Sequence, residues 1–199
     1  MLIYLNGTSS AGKSSIAQAM VQQSTLAFVH IEADNIFAPD RRVKTSSSDD
    51  SHIYFLSTSA MVSNALKAGK NVIWEDPLFH PEQLIYEVSY LGVKDIINQI
   101  YLINVQCDLD VCKSREIARK DRGSGFAAIM HSYVYKYMPI CDVEVDTSST
   151  SPEDNARIIL DFIAKTPQPT AFDRHLQGVE KDHLKEVANK LRGIKDENE

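Results

Sequence analysis

Leu2-Ile-Tyr-Leu-Asn-Gly7-Thr8-Ser9-Ser10-Ala11-Gly12-Lys13-Ser14-Ser15-Ile-Ala-Gln-Ala-Met20 is the stretch that decides the fold. Its centre fits G-x-x-x-x-G-K-[ST] at every fixed position, with an apolar strand leading in and a helical pattern leading out. In that order the three parts aim a helix N-terminus, with its unpaired N–H groups, at an anionic ligand. Gly7 and Gly12 admit backbone conformations and close approaches that a Cβ would obstruct. Thr8, Ser9, Ser10, Ala11 and Ser15 complete a loop whose amides cradle phosphates. Lys13 is the mobile charge for the β/γ-phosphates, and the Ser14 hydroxyl is placed to hold Mg²⁺ on the same oxygens. A Gly/Ser-rich turn without a nucleotide is the competing reading, and the succession of strand, motif and helix weighs against it.

The same loop serves GTPases, mechanical ATPases and small-molecule kinases, so the rest of the chain has to discriminate. No N-K-x-D element for reading guanine is present, and 199 residues leave little room for the added modules of a mechanical ATPase. A compact phosphotransferase is the expected class. With 43% hydrophobic and 24% charged residues the composition is that of a globular protein. Twenty-seven acidic against 21 basic residues give a net charge of −6. Such a surface repels a nucleic-acid backbone, so no nucleic-acid partner is expected and phosphate must be captured locally. Cys107, Cys112 and Cys141 have no metal-ligand spacing, which suits reduced packing thiols. Neither a signal peptide nor a membrane span is legible, and a cytoplasmic protein with no membrane partner is expected.

Short apolar runs alternate with helical periods, the pattern of an α/β fold with a parallel five-stranded sheet between helices. The expected strands are Leu2–Leu5, Ala27–Ile31, Asn71–Trp74, Gln99–Val105 and Val143–Val145, each buried on both faces. The expected helices are Lys13–Gln23, His52–Ala68, Pro81–Leu91, Leu109–Lys120, Gly125–Tyr135 and Pro152–Ala164. Arg41–Ser51 is too polar to pack and reads as an exposed loop or a flap over substrate. Thr166-Pro-Gln-Pro-Thr170 punctuates the chain, dividing a core domain over residues 1–164 from a linker and helical extension over 165–199. In that extension Val179, Leu184, Val187 and Leu191 form a thin apolar stripe suited to docking on the body or, as a homo-oligomer contact, on a second copy.

Open α/β sheets bind ligands at the carboxyl ends of their strands, and two such ends here are acidic. Glu32-Ala-Asp34-Asn follows the second strand and Glu75-Asp76-Pro follows the third. Asp34 suits either a general base on an acceptor hydroxyl or the N-cap of a following helix. Glu75 and Asp76 stand where a Walker-B acid stands, and Asp76 is the candidate to order Mg²⁺ beside Ser14. Between Lys113 and Arg122 lie five basic and two acidic residues, a positive island in an acidic chain. Arg115, Arg119 and Arg122 share one helical face that runs into Gly123-Ser-Gly125, the makings of a phosphate-binding lid; a solvated charged face paired through Glu116 and Asp121 is the alternative.

These residues resemble the chloramphenicol phosphotransferase-like family of P-loop kinases. The resemblance is carried by Asn6–Ser14, by Asp34, by Cys107-Asp108 with Arg115-Glu116-Ile-Ala-Arg119-Lys-Asp121-Arg122, and by Asp142-Val-Glu-Val-Asp146-Thr147. It spans most of Met1–Ala164 and departs from the family at Glu75-Asp76, where two aspartates are common. It implies a nucleotide/shikimate-kinase-like core in which ATP and Mg²⁺ phosphorylate a hydroxyl of a small molecule. Asp34 would match the family's base, and Arg119 and Arg122 its arginines near the phosphates. The sequence thus leads to an ATP-dependent O-phosphotransferase with Asp34, Lys13 and Arg122 as catalytic residues, acting on a chloramphenicol-like antibiotic or another hydroxylated metabolite. A nucleoside, nucleotide or nucleotide-sugar kinase, toxin-like kinases included, is the alternative within the fold. An inactive nucleotide-binding regulator is the alternative from another class.

Overall fold

A computed structural model of the chain describes residues 1–32, 48–79, 83, 99–119 and 125–177. Five strands, β1 (Leu2–Asn6), β2 (Phe28–Glu32), β3 (Asn71–Glu75), β4 (Ile100–Gln106) and β5 (Val143–Asp146), form one sheet in the order β2-β3-β1-β4-β5. All pairings are parallel. The helices are α1 (Lys13–Gln23), α2 (Ser48–Lys67), α3 (Leu109–Ala118), α4 (Phe126–Val134), α5 (Pro152–Lys165) and α6 (Ala171–Gln177). This is the expected doubly wound P-loop kinase architecture, each strand lying within about two residues of its expected span.

Alternation along the strands builds the two cores. On one face Ile3, Leu5, Ile73, Ile103 and Val145 pack with Ile16 and Met20 of α1 and Ala156 and Ile159 of α5. On the other, Leu2, Tyr4, Val72, Trp74 and Leu102 pack with Val62 and Leu66 of α2. The central strands β1, β3 and β4 are buried on both faces, as their sequences require. The edge strands are not: β5 alternates buried and exposed residues, and β2 buries only Ile31 fully. Both are the outer strands of the sheet.

α2 begins at Ser48 rather than His52, so the end of the polar stretch is helical. α6 is a helix the sequence pattern does not announce. Asp142 makes it: its Oδ1 accepts the backbone N–H groups of Thr170 and Ala171, both at 2.9 Å, while Oδ2 accepts that of Leu102 at 2.9 Å. Ala171 and Phe172 then bury against the Leu2/Trp74 core. The segment after the Pro-rich punctuation therefore belongs, as far as Gln177, to the packed body. The expected helix Pro81–Leu91 apart from Gln83, the polar stretch from Arg41 to Ser47 and the stripe Val179 to Leu191 lie outside the described residues. Among the described residues no helix is long and apolar enough to cross a membrane.

Candidate active site

Every strand ends at its carboxyl edge in a polar residue: Asn6, Glu32, Glu75, Gln106 and Asp146. Above this edge lies a cavity of about 480 Å³, lined by loop residues 9–15, by Glu32, Glu75, Asp76 and Pro77, and by Arg115, Ala118 and Arg119. Its size lies within the range of small-ligand sites, about 300–1,000 Å³.

The loop is held by steric and polar constraints traceable to single residues. A Cβ on Gly7 would lie 2.7 Å from the carbonyl oxygen of Val105, so the loop presses directly onto β4. Gly12 adopts φ +93°, the left-handed conformation that starts α1. Lys13 Nζ donates to the carbonyls of Gly7 and Thr8 at 2.8 and 3.0 Å and spans the loop from its far end. Thr8 Oγ1 and Ser10 Oγ are buried without a hydrogen-bond partner among the described residues, leaving unused polar capacity inside the loop.

Ser14 faces the acidic strand ends. Its hydroxyl lies 2.8 Å from Glu75 Oε2 and 3.1 Å from Glu32 Oε1. One hydroxyl proton serves one carboxylate at a time, so two carboxylates and a hydroxyl oxygen converge on one spot. Such a hard-oxygen donor set fits Mg²⁺, which binds through one or two carboxylates, a hydroxyl and the phosphates of its nucleotide. Glu75 thus stands directly against Ser14, and Asp76, 6% exposed, lines the same cavity. Glu32 belongs to the acidic run seen in the sequence, but only the parallel register, which sets Glu32 beside Glu75, shows that it reaches Ser14. His30 is the other residue the sequence did not single out; its Nε2 contacts Glu75 Oε1.

Arg115 serves the loop itself. Its Nη1 lies 3.0 Å from Thr147 Oγ1, 3.4 Å from the Ala11 carbonyl and 3.5 Å from that of Ser10; its Nη2 donates to the Thr147 carbonyl at 2.6 Å. Thr147 Oγ1 in turn donates to the Ala11 carbonyl at 2.6 Å. The motif residues Arg115 and Thr147 thus brace the phosphate loop from behind. Nη1 also lies 3.4 Å from Cys107 Sγ. The Cys107 thiol is pushed down to about 6, chiefly by a hydrogen bond from the Cys112 thiol and further by Thr147 and by the Arg115 charge. Cys107 precedes the N-cap Asp108 of α3 and Cys112 is the fourth helical residue, so the two also form the apolar staple of that helix.

Arg119 ends α3 at the rim of the cavity, its N–H on the carbonyls of Arg115 and Glu116. Glu116, 3% exposed, accepts the N–H groups of Gly125 and Ala127 at 2.9 and 2.7 Å and so caps α4. Asp34 and Arg122 lie outside the described residues.

The sequence profile of the chloramphenicol phosphotransferase-like protein family matches residues 1–164. No sequence among curated proteins matches the chain. Among solved structures, a sugar kinase from a Janibacter species superposes with a TM-score of 0.62 at 16% identity, over 83% of this chain and 95% of its own. Shikimate kinase from Aquifex aeolicus gives 0.56 at 15% identity, over 84% and 98%. The Mycobacterium tuberculosis APS kinase, solved with AMPPNP and APS, gives 0.55 at 15% identity, over 82% and 96%. At such identities the likeness is one of fold, and it is the fold of P-loop kinases. With its phosphate loop, its carboxylates gathered at the strand ends and a profile match over most of its length, the chain belongs to the chloramphenicol phosphotransferase-like family.

Proposed function

We propose that the protein is an ATP-dependent O-phosphotransferase that moves the γ-phosphoryl group to a hydroxyl of a small molecule, either a chloramphenicol-like antibiotic or another hydroxylated metabolite. The observation that carries this reading is the convergence of Ser14, Glu32 and Glu75 between the phosphate loop and an open cavity. The loop binds the triphosphate through its amides, and Lys13 offsets charge on the β/γ oxygens. Ser14 and Glu75 would hold Mg²⁺, with Glu32 and Asp76 beside them; bound there, the ion would neutralise charge developing on the transferred group. Asp34, two residues beyond the end of β2, takes the proton from the acceptor hydroxyl. Arg119 and Arg122 contact the phosphates during transfer, and the core over residues 1–164 carries the chemistry. The three cysteines, free in the structure, suit a reducing cytoplasm.

Asp34→Asn tests the reading. Loss of one group acting on the transition state commonly costs about 10²–10³ in rate. Transfer to any acceptor that supports turnover should fall by that order while ATP affinity, measured by calorimetry, is retained. Near-normal turnover in Asp34→Asn refutes the base. A wild-type protein that binds no nucleotide with Mg²⁺ present refutes the whole reading.

A further inference from the structure

β2 is an outer strand, and along it Ile31 packs into the core that holds α2. Alternation turns its neighbours His30 and Glu32 to the opposite face, that of α1. The register sets His30 beside Ile73 and Glu32 beside Glu75, which makes His30 a diagonal neighbour of Glu75. The Glu75 side chain is 4% exposed and that of His30 is 21% exposed. The two oxygens of Glu75 are tied to different partners: Oε2 lies 2.8 Å from the Ser14 hydroxyl and Oε1 contacts His30 Nε2. An ionised carboxylate only accepts, so Nε2 is the ring nitrogen that donates. A carboxylate tied at one oxygen turns about its last bond, whereas one tied at both is fixed.

We propose that His30 is a positioning residue: by holding Glu75 Oε1 it keeps Oε2 on the Ser14 hydroxyl and so sets the oxygen pair that takes a divalent cation with the nucleotide. This inference rests on the phosphotransferase reading above. The backbone of β2 pairs with β3 whatever the side chain at position 30, and one side of the imidazole faces solvent, so its hydrogen bond to Glu75 can be removed with little demand on packing. Partners that orient metal-holding groups typically carry about 10–100-fold of the metal affinity.

The test titrates Mg²⁺ into the full-length protein at a fixed concentration of a fluorescent ATP analogue and repeats the nucleotide titration in EDTA. His30→Phe keeps a ring and loses the donor; His30→Gln keeps a donor of similar reach. The expected result for His30→Phe is a Mg²⁺ concentration for half-maximal nucleotide tightening raised about 10–100-fold, with binding in EDTA unchanged. His30→Gln should stay close to wild type, and His30→Phe should add little in a Glu75→Gln background. Thermal melts report folding; should His30→Phe not fold, His30→Asn, whose donor stops short of Glu75, takes its place with the same expectation. Unchanged Mg²⁺ dependence without the donor overturns the inference alone, as does equal weakening with and without Mg²⁺. Wild-type binding that ignores Mg²⁺ overturns the phosphotransferase reading and this inference with it.

Discussion

Replacing Gly7 by alanine puts a methyl group 2.7 Å from the Val105 carbonyl oxygen and 3.1 Å from the Val105 Cβ. A relaxed C···O contact needs about 3.3–3.6 Å, so either the loop or β4 must give by more than half an ångström. β4 is pinned on both sides, to β1 and to β5, and the strain falls on the loop. Overpacking of this kind costs about 1–3 kcal/mol, which corresponds to roughly a 5- to 150-fold loss if it appears wholly in nucleotide affinity. Gly69 provides the control: it adopts φ +72° with nothing within 4 Å of an added Cβ. Gly69→Ala should cost about 1–2 kcal/mol of stability from backbone strain and leave binding untouched. Calorimetric titration of ATP with Mg²⁺, alongside thermal melts, separates the two variants. If Gly7→Ala binds nucleotide as wild type does, the close approach of loop to strand is not what shapes the site.

Three further outcomes follow from the geometry. Asp142→Ala strips the acceptor from three backbone N–H groups and should lower stability by about 3 kcal/mol in urea unfolding, with the nucleotide affinity of the folded protein retained. Arg115→Lys cannot reach Thr147 and the loop carbonyls with one fork, so nucleotide affinity should fall about tenfold despite the retained charge, and a variant that binds normally would remove Arg115 from the loop's support. The Cys107 thiol is held at about 6 in the folded protein, below the roughly 8.5 of an unfolded cysteine. A depressed acid contributes stability that is full above the unfolded value and fades as pH falls toward the folded one, so urea midpoints should rise between about pH 6 and 8.5 and Cys107→Ala should flatten that rise.

The fold was legible because each of its determinants is local. The apolar runs mark the strands, the helical periods mark the helices, and the glycine-bracketed loop states which strand begins the nucleotide site. The turn between the first strand and the first helix was legible for the same reason. What escaped depends on register and on contacts distant in sequence. Glu32 reaches Ser14 only because β2 pairs with β3 in parallel, and nothing in the run His30-Ile-Glu32 announces that pairing. Arg115 reads by periodicity as one of three cations on a phosphate-facing side of its helix, yet Thr147, 32 residues away, turns its guanidinium under the loop. α6 has too few residues for a periodic signal and takes its first turn from Asp142, 28 residues before it.

The clasp between Asp142 and α6 separates two boundaries that are easily equated. The family match stops at residue 164, whereas the sheet face bearing Leu2, Tyr4, Ile100 and Leu102 is roofed in part by Phe172. A protein shortened to the matched region would lose that roof and present bare aliphatic and aromatic surface to water, the starting condition for aggregation during expression. The smallest stable unit is therefore longer than the matched region, and shortened versions intended for crystallisation or screening should end beyond Gln177.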